Sequence, residues 1–329
     1  MRRAVIVAVV IAVAVSVSVS AQTSATSKST TSTVPRTADG HPDLQGIWFF
    51  ATLTPLQRPA NLADRTHLTD AEIAAIEERA GNRPQVFGLF GDQARYVFDK
   101  RTSLVVDPPD GRVPAMTPAG AKRQAERHAA RLAAENPEDL PVYERCILGF
   151  NAGPPIIPGG YNQNIQLVQT RDYVVIHNEM NHNARIVPFD QRPRLPSELR
   201  EWNGVSRGRW EGDTLVVTST NFRSIGTGTL PLDGNRAAIG IGWSPDENLT
   251  LVERFTRTER DRLIYEFTMT DLTVWTKPWT VSLPMTRSDL LMYEYACHEG
   301  NHDFRFILSG ARNLEKDAAA KTGPEPTPR

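Results

Sequence analysis

The sequence predicts a mainly β protein built on an antiparallel sheet, either open, closed as a barrel or folded as a sandwich. From residue 164 onward, short runs rich in β-branched and aromatic residues alternate with turn-forming residues. The clearest hairpin joins residues 206–210 to 214–221 across Glu-Gly-Asp. Helical patterns lie before and after these runs rather than between them, which argues against a parallel sheet.

The amino terminus has the composition of a secretory leader. Arg2 and Arg3 precede an apolar run over residues 4–15, and small residues at 19–21 suit a cleavage site. We therefore expect a signal peptide over residues 1–21 and a periplasmic or secreted protein. The apolar run is shorter than the roughly 20 residues that span a bilayer. This favours cleavage, with no stable membrane insertion afterwards, over a retained anchor.

Composition divides the rest of the chain into four regions. A Ser/Thr-rich stretch predicts a flexible linker, and a Pro-rich end predicts a disordered tail. Between them, Thr69 and Glu72 form a capping box that starts one helix, and Thr117 starts a second that reaches about Ala134. The predicted regions are a linker at 22–40, an irregular and partly helical region packing on the sheet at 41–140, an antiparallel β domain with a closing helix at 141–316, and a disordered tail at 317–329.

The strand predictions follow the β-propensity pattern in chain order. Turn signals separate neighbouring strands, and a helical pattern follows the last of them. The predicted strands are 102–106, 165–169, 173–179, 185–189, 206–210, 214–221, 249–257, 263–270, 279–285 and 291–297, and the closing helix is 304–316.

Charge and cysteine content narrow the class of protein. The net charge is −1, and it becomes −3 once Arg2 and Arg3 leave with the leader. A near-neutral chain with interspersed signs lacks the basic surface of a nucleic-acid binder. Two cysteines in an exported chain, Cys146 and Cys297, favour a disulfide over free thiols. Closing so long a loop adds up to about 5 kcal/mol of stability, and it would fasten the carboxyl-terminal segment to the start of the β region.

Residues 298–302 read His-Glu-Gly-Asn-His, the pattern of zinc proteases. That chemistry needs a helix, so that His298 and His302 face one metal ion. Gly300 and Asn301 are poor helix formers, and the 27 residues that follow His302 offer few candidates for a third ligand. We therefore expect no metal or other cofactor. If zinc were bound, His298 and His302 would be its ligands.

A second polar cluster surrounds Glu179. If residues 181–183 reverse the chain, Arg185 lies across from Glu179 and an ordinary salt bridge forms. In the functional alternative, Glu179 and Arg185 lie in a pocket with His182 and His298 at its mouth, where a buried carboxylate exchanges protons.

Other side chains are candidates for contacts with a ligand. Aromatic residues stack on sugars or aromatic rings, although most are expected in the core. Paired arginines on a strand bind carboxylates, although a solvated strand is the simpler interpretation. These candidates are Tyr161, Arg207, Arg209 and Trp210.

Several blocks of the chain resemble a large family of exported bacterial proteins. The blocks are PDLQGIW at 42–48, TPLQRP at 54–59, DPPDGR at 107–112, WEGDTLVV at 210–217 and YEYACHEGN at 293–301. The resemblance implies an exported domain without an established activity. It points to Glu179, Arg185, His298 and Glu299 as positions that the family tends to keep, whereas a histidine at 302 is not usual in it. Gly46-Ile47-Trp48 also resembles the Gly-x-Trp that opens lipocalin barrels.

These observations lead to three hypotheses of function. The first is an exported domain that binds a small sugar-like or aromatic molecule in a polar and aromatic pocket. The second is a periplasmic acid–base enzyme, a lyase, isomerase or hydrolase, that uses Glu179 with His182 or His298. The third is a zinc-dependent hydrolase at 298–302. Nothing in the sequence specifies the ligand or the oligomeric state.

Overall fold

One antiparallel sheet of ten strands dominates the computed structural model of the chain. The structure describes residues 34–62, 64–82, 94, 96–190, 193, 195–223 and 247–321, so the predicted leader lies outside it. The prediction of a mainly β fold is confirmed. The strands are β1 Gly46–Phe49, β2 Val105–Asp107, β3 Asn164–Gln169, β4 Tyr173–Asn178, β5 Ala184–Pro188, β6 Val205–Glu211, β7 Thr214–Thr220, β8 Thr250–Glu259, β9 Arg262–Thr270 and β10 Trp279–Ser288.

Three α-helices accompany the sheet, and both predicted amino-terminal helices are present. They are α1 at Asp70–Gly81, α2 at Pro118–Ala133 and α3 at Asp303–Lys321. Thr69 and Glu72 form the predicted capping box of α1, and Thr117 accepts a hydrogen bond at the start of α2. Helix α3 runs five residues into the segment predicted as a tail, because the alanines at 318–320 favour helix. Residues 322–329 lie outside the described part of the chain.

The strand order places the first strand, β1, inside the sheet between β3 and β10. The order is β5-β4-β3-β1-β10-β9-β8-β7-β6, and β2 pairs with the first part of β10. The residues of β1 pair with β3 on one side and with the end of β10 on the other. The region at 41–140 was predicted to pack on the sheet. It contributes two of the strands, β1 and β2, and the second overlaps the strand predicted at 102–106. Ile47, Trp48 and Phe49 of β1 suit a half-buried pleated surface.

The sheet is not closed into a barrel. Strands β5 and β6 end the hydrogen-bonded order, and no backbone ladder joins them within the described residues. Side chains bring these two edges together instead. Gly208 of β6 lies so close to the β5 side that a Cβ atom added to it would lie 2.6 Å from Phe189 and 3.1 Å from Val187. The amides of Asn183 and Asn203 also exchange two hydrogen bonds, of 3.2 and 2.9 Å.

The core lies against one face of the sheet. In β9, the inward residues Leu263, Tyr265, Phe267 and Met269 are at most 1% exposed and alternate with half-buried residues. Burying each such side chain stabilises the fold by about 1.5–3 kcal/mol. Trp48 brings β1 into the same cluster.

The predicted strand at 291–297 is wrong. Residues 289–296 have no regular structure, and 297–300 form a turn. Leu290 and Leu291 are 69% and 78% exposed. Both edges of β10 are already occupied, by β9 on one side and by β1 and β2 on the other. The segment after β10 therefore has no adjacent strand to pair with, and its apolar residues stay at the surface.

Candidate functional site

A polar cavity of about 230 Å³ lies where the chain turns after β4. One side of it comes from that turn, and the other from the irregular segment after β10. A disulfide joins the segment after β10 to the region before β3. The lining residues are Cys146, Asn181, His182, Glu294, Tyr295, Ala296, Cys297, His298 and Glu299.

The turn after β4 has a left-handed backbone. Asn181 and His182 have φ values of 57° and 48°, a region that Asn tolerates and that His adopts less often. Hydrogen bonds on both sides hold the turn: the Asn178 N–H donates to the Asn183 carbonyl at 2.8 Å, and the Glu179 N–H to the Asn164 carbonyl at 3.0 Å. Left-handed residues outside glycine concentrate at binding sites. Here they direct the chain into β5 and place His182 in the cavity wall.

Asn181 has an unsatisfied side chain. Both its amide oxygen and its amide nitrogen are buried, and neither has a hydrogen-bond partner among the described residues. An unpaired buried polar group costs about 1–3 kcal/mol. A bound molecule or ordered water that supplies both a donor and an acceptor would remove this cost.

The predicted disulfide between Cys146 and Cys297 is confirmed. Their Cα atoms lie 5.6 Å apart, and 151 positions separate them in the chain. The amide of Asn301 donates to the Glu144 carbonyl and to the Cys146 sulfur, each at 3.2 Å. These contacts fasten the segment after β10 to the region before β3.

Glu179 lies beside the cavity but not in its wall. The residue is 2% exposed. Its two carboxylate oxygens accept hydrogen bonds from the Asn164 amide and from the Tyr293 backbone N–H, both at 2.9 Å. The carboxylate therefore anchors the segment that carries the cavity wall.

The predicted pairing of Glu179 with Arg185 does not form. Arg185 makes a bidentate ion pair with Glu253, at 2.6 and 2.8 Å, in the core of the sheet. Arg185 lies opposite Ile176 in the ladder, and therefore on the buried face, whereas Glu179 contacts Asn164 on the other face.

Glu253 is the buried charge that sequence analysis missed. It is fully buried, and it also accepts a hydrogen bond from the Tyr265 hydroxyl at 2.8 Å. Burial raises the pKa of Tyr265 well above its usual value, and the charge of Glu253 raises it further, so the hydroxyl stays a donor. Burial alone lowers the pKa of Arg185, but Glu253 outweighs this and leaves it raised. The alternation of Leu251, Glu253 and Phe255 was the available signal for a Glu on the buried face.

Four other predicted residues lie at or near the cavity. His298 and Glu299 line it, and His182 Nε2 lies 3.8 Å from a carboxylate oxygen of Glu294. Tyr161 does not line the cavity, but its hydroxyl lies 3.5 Å from that of the lining residue Tyr295. Burial and then the hydrogen bond to Tyr295 raise the pKa of Tyr161.

The predicted contacts on β6 lie elsewhere. Arg209 pairs with Glu211 at 2.5 Å, and Arg207 Nε lies 3.7 Å from Asp190. The ring of Trp210 stacks on His41, with centroids 4.4 Å apart and planes 5° apart. Arg207 and Trp210 join β6 to neighbouring segments, Arg209 pairs within β6, and none of the three lines the cavity.

The zinc-protease pattern at 298–302 does not lie on a helix. Residues 297–300 form a turn, Gly300 has a φ of 68°, and α3 begins only at Asp303. His302 does not line the cavity. Within the part of the chain that the structure describes, no three His, Cys, Asp or Glu side chains are grouped so that they could hold a metal ion.

The cavity wall has acidic and neutral groups. It contains two carboxylates, from Glu294 and Glu299, and none of the described lining residues is Lys or Arg. Burial lowers the pKa of the neighbouring His177, and the charge of His182 lowers it further. The carboxylates of this wall repel anions.

No family model matches the chain, and no curated protein or solved structure matches it with significance. The resemblance to exported bacterial proteins therefore stays a prediction. No helix among the described residues is both long and apolar enough to cross a membrane.

Proposed function

We propose that the protein binds a small sugar-like molecule in the cavity beside β4. The observation that carries this proposal is the convergence on one cavity of Asn181, whose buried amide has no partner among the described residues, with His182, His298 and two glutamates. Together they offer hydrogen-bond donors and acceptors at close spacing.

The size of the cavity supports a ligand of monosaccharide dimensions. Its volume is about 230 Å³. Cavities for drug-sized ligands start at about 300 Å³. The aromatic alternative has less support, because the ring of Tyr295 already packs against Tyr161, with centroids 5.9 Å apart.

Three sugars of matched shape test this proposal by titration calorimetry at pH 7. Glucose is neutral, glucosamine is cationic and glucuronate is anionic. We expect glucose and glucosamine to bind, and glucuronate to bind at least tenfold more weakly, because no cation in the described wall would pair with its carboxylate. Equal affinity for glucuronate, or no binding of any of the three, would contradict the proposal.

Asn181→Ala isolates the contribution of the unpaired amide. We expect a loss of glucose affinity of about tenfold, the equivalent of one good hydrogen bond to the ligand. Asn313→Ala on the exposed surface of α3 is the matched control. Equal affinities of the two variants would show that the amide does not contact the sugar.

A second candidate is proton transfer on the same ligand. His182 lies 3.8 Å from Glu294, and His298 lines the same wall. Glu179, predicted as the acid or base, uses both oxygens to hold Asn164 and Tyr293. Turnover of a bound sugar, monitored by NMR, should then be lost in His182→Gln while binding persists. Turnover that survives in both His182→Gln and His298→Gln would contradict this candidate.

We also propose that the chain acts in the periplasm or outside the cell. The leader-like composition of residues 1–21 and the Cys146–Cys297 disulfide support this location. Expression of the full chain in a bacterium and fractionation should place it outside the cytoplasm, with Gln22 as the first residue. Retention in the cytoplasm with Met1 intact would contradict the proposal.

A further inference from the structure

We propose that the Cys146–Cys297 disulfide is a redox latch that holds the cavity together. With the bond intact, the wall carried by residues 294–299 is in place. With the bond reduced, the segment at 289–302 leaves the sheet and the cavity is lost. The inference rests on the proposed function, because it concerns the regulation of that same site.

Most of the cavity wall comes from one segment without regular structure. Six of the nine lining residues lie between Glu294 and Glu299. This segment follows β10, and only a turn at 297–300 interrupts its irregular path before α3. Its position therefore depends on a few point contacts and not on a strand ladder or a helix.

Those contacts are few, and apolar burial adds little to them. Glu179 binds the Tyr293 N–H on one side of the wall, and the Asn301 amide binds the Glu144 carbonyl on the other. Leu290, Leu291 and Tyr293 are 69%, 78% and 68% exposed, so they do not hold the segment by burying apolar surface. The disulfide is the one covalent contact, and it lies between these two hydrogen bonds. Two longer polar contacts add to them, from the Tyr295 hydroxyl to that of Tyr161 at 3.5 Å and from Glu294 to His182 at 3.8 Å.

The other half of the latch is fixed independently of the bond. Cys146 is 7% exposed. The segment before it closes on itself through the Ile147 N–H, which donates to the Val142 carbonyl at 2.8 Å. Glu144 pairs with Arg131 of α2 at 2.6 Å. We therefore expect reduction to move the Cys297 side while Cys146 stays in place.

A small dithiol can reach the bond, because both cysteines line the cavity. One thiolate of the dithiol attacks one sulfur of the disulfide, and the bond between Cys146 and Cys297 breaks. The second thiol of the reductant then displaces the first cysteine. Two electrons pass to the protein, two protons end on the cysteine thiols, and the reductant leaves as its own disulfide.

Amide hydrogen exchange, resolved by NMR, tests the latch in the oxidised protein and after reduction with dithiothreitol. Thiol alkylation and mass spectrometry establish the redox state. The informative amides are Tyr293, Cys297, Glu299 and His302, each of which donates a hydrogen bond in the structure. We expect their exchange to accelerate at least tenfold on reduction, while the ladder amides of β8 and β9 keep their rates.

The amides of the double variant Cys146→Ala/Cys297→Ala should exchange at the rates of the reduced protein, and dithiothreitol should not change these rates. Unchanged exchange at the four amides with both thiols free would overturn the latch. Loss of protection from amide exchange throughout β8 and β9 would also overturn it, because the disulfide would then stabilise the whole fold.

Glucose affinity should fall at least tenfold on reduction. If glucose does not bind the oxidised protein either, the proposed function fails, and exchange alone decides on the latch.

Discussion

Two buried glutamates in this protein have very different surroundings. Glu253 is fully buried in the core, where Arg185 holds it by two charged hydrogen bonds and Tyr265 by a third. Glu179 is 2% exposed at the edge of the cavity, and an amide and a backbone N–H are the donors to its oxygens. Both side chains are nearly inaccessible to water, yet among the described residues only Glu253 is paired with a cation.

The difference teaches what each carboxylate does for the fold. A charge in the core needs a counter-charge, because the desolvation of an unpaired ion costs several kcal/mol. A charge at the margin of the core is stabilised by neutral donors, and it orients the segment that provides them. Glu253 therefore supports the sheet, and Glu179 supports the wall of the cavity.

Removing the cation from the core should have the largest effect. Arg185→Met leaves Glu253 buried without a cationic partner, and we expect the free energy of unfolding to fall by about 3–5 kcal/mol. Equilibrium unfolding in urea measures this loss. A loss below about 1 kcal/mol would mean that water reaches Glu253.

The double variant Arg185→Met/Glu253→Met is the control for this change. It removes both charges and fills a similar volume, so its unfolding free energy should return to within about 2 kcal/mol of that of the natural protein. A double variant as unstable as the single one would assign the loss to packing and not to the unpaired charge.

Neutralising Glu179 should have an intermediate and local effect. Glu179→Gln keeps the shape of the side chain but weakens the bonds to Asn164 and Tyr293, so we expect a loss of about 1–2 kcal/mol. Faster amide exchange at Tyr293, with unchanged exchange in β9, is the local signature. Glu135→Gln, at an exposed position, is the matched control. If exchange accelerates equally throughout the sheet, Glu179 supports the core in the same way as Glu253.

An exposed carboxylate should have the smallest effect on stability, and this effect depends on pH. Glu72 pairs with Arg65 and accepts from Thr69, and these bonds lower its pKa from 4.5 to about 2. Because the folded state holds the ionised form more tightly, this stabilisation is complete above about pH 4.5 and disappears as the pH falls through about 2.

Melting temperatures measured between pH 7 and pH 2 test this linkage. Glu72→Gln should reduce the fall in melting temperature between about pH 4.5 and pH 2. Glu78 is an exposed neighbour on α1, and Glu78→Gln should leave that fall unchanged. Parallel curves for Glu72→Gln and the natural protein would show that the capping box does not depend on charge.

The regular part of the sheet was predictable because its signal is local. Residues 206–210 and 214–221 predicted the hairpin of β6 and β7. The observed β6 is one residue longer at both ends, and β7 is one residue shorter at its carboxyl end. Alternation with period two, interrupted by Gly in a turn, needs no long-range information. The capping box of α1 was predictable for the same reason.

The cavity depends on contacts that the sequence does not encode locally. The number of residues in the turn at 181–183 determines whether Arg185 faces Glu179 or the core, and a change of one position reverses the face. The same limitation affected 291–297, where a strand-like pattern finds no free edge beside β10. His182, His298 and Glu299 were identified as candidates by their chemistry. Asn181 and Glu294 join them only through the fold.

The central place of β1 has a consequence for how the chain matures. Gly46 pairs with Leu167, and Ile47 pairs with Ser288, so four residues near the amino end bridge two strands that are made much later. A nascent polypeptide cannot complete these ladders until about nine-tenths of it has left the ribosome. Contacts between such remote positions slow folding. The protein is thus suited to remain unfolded during synthesis and to acquire its shape in a single late step.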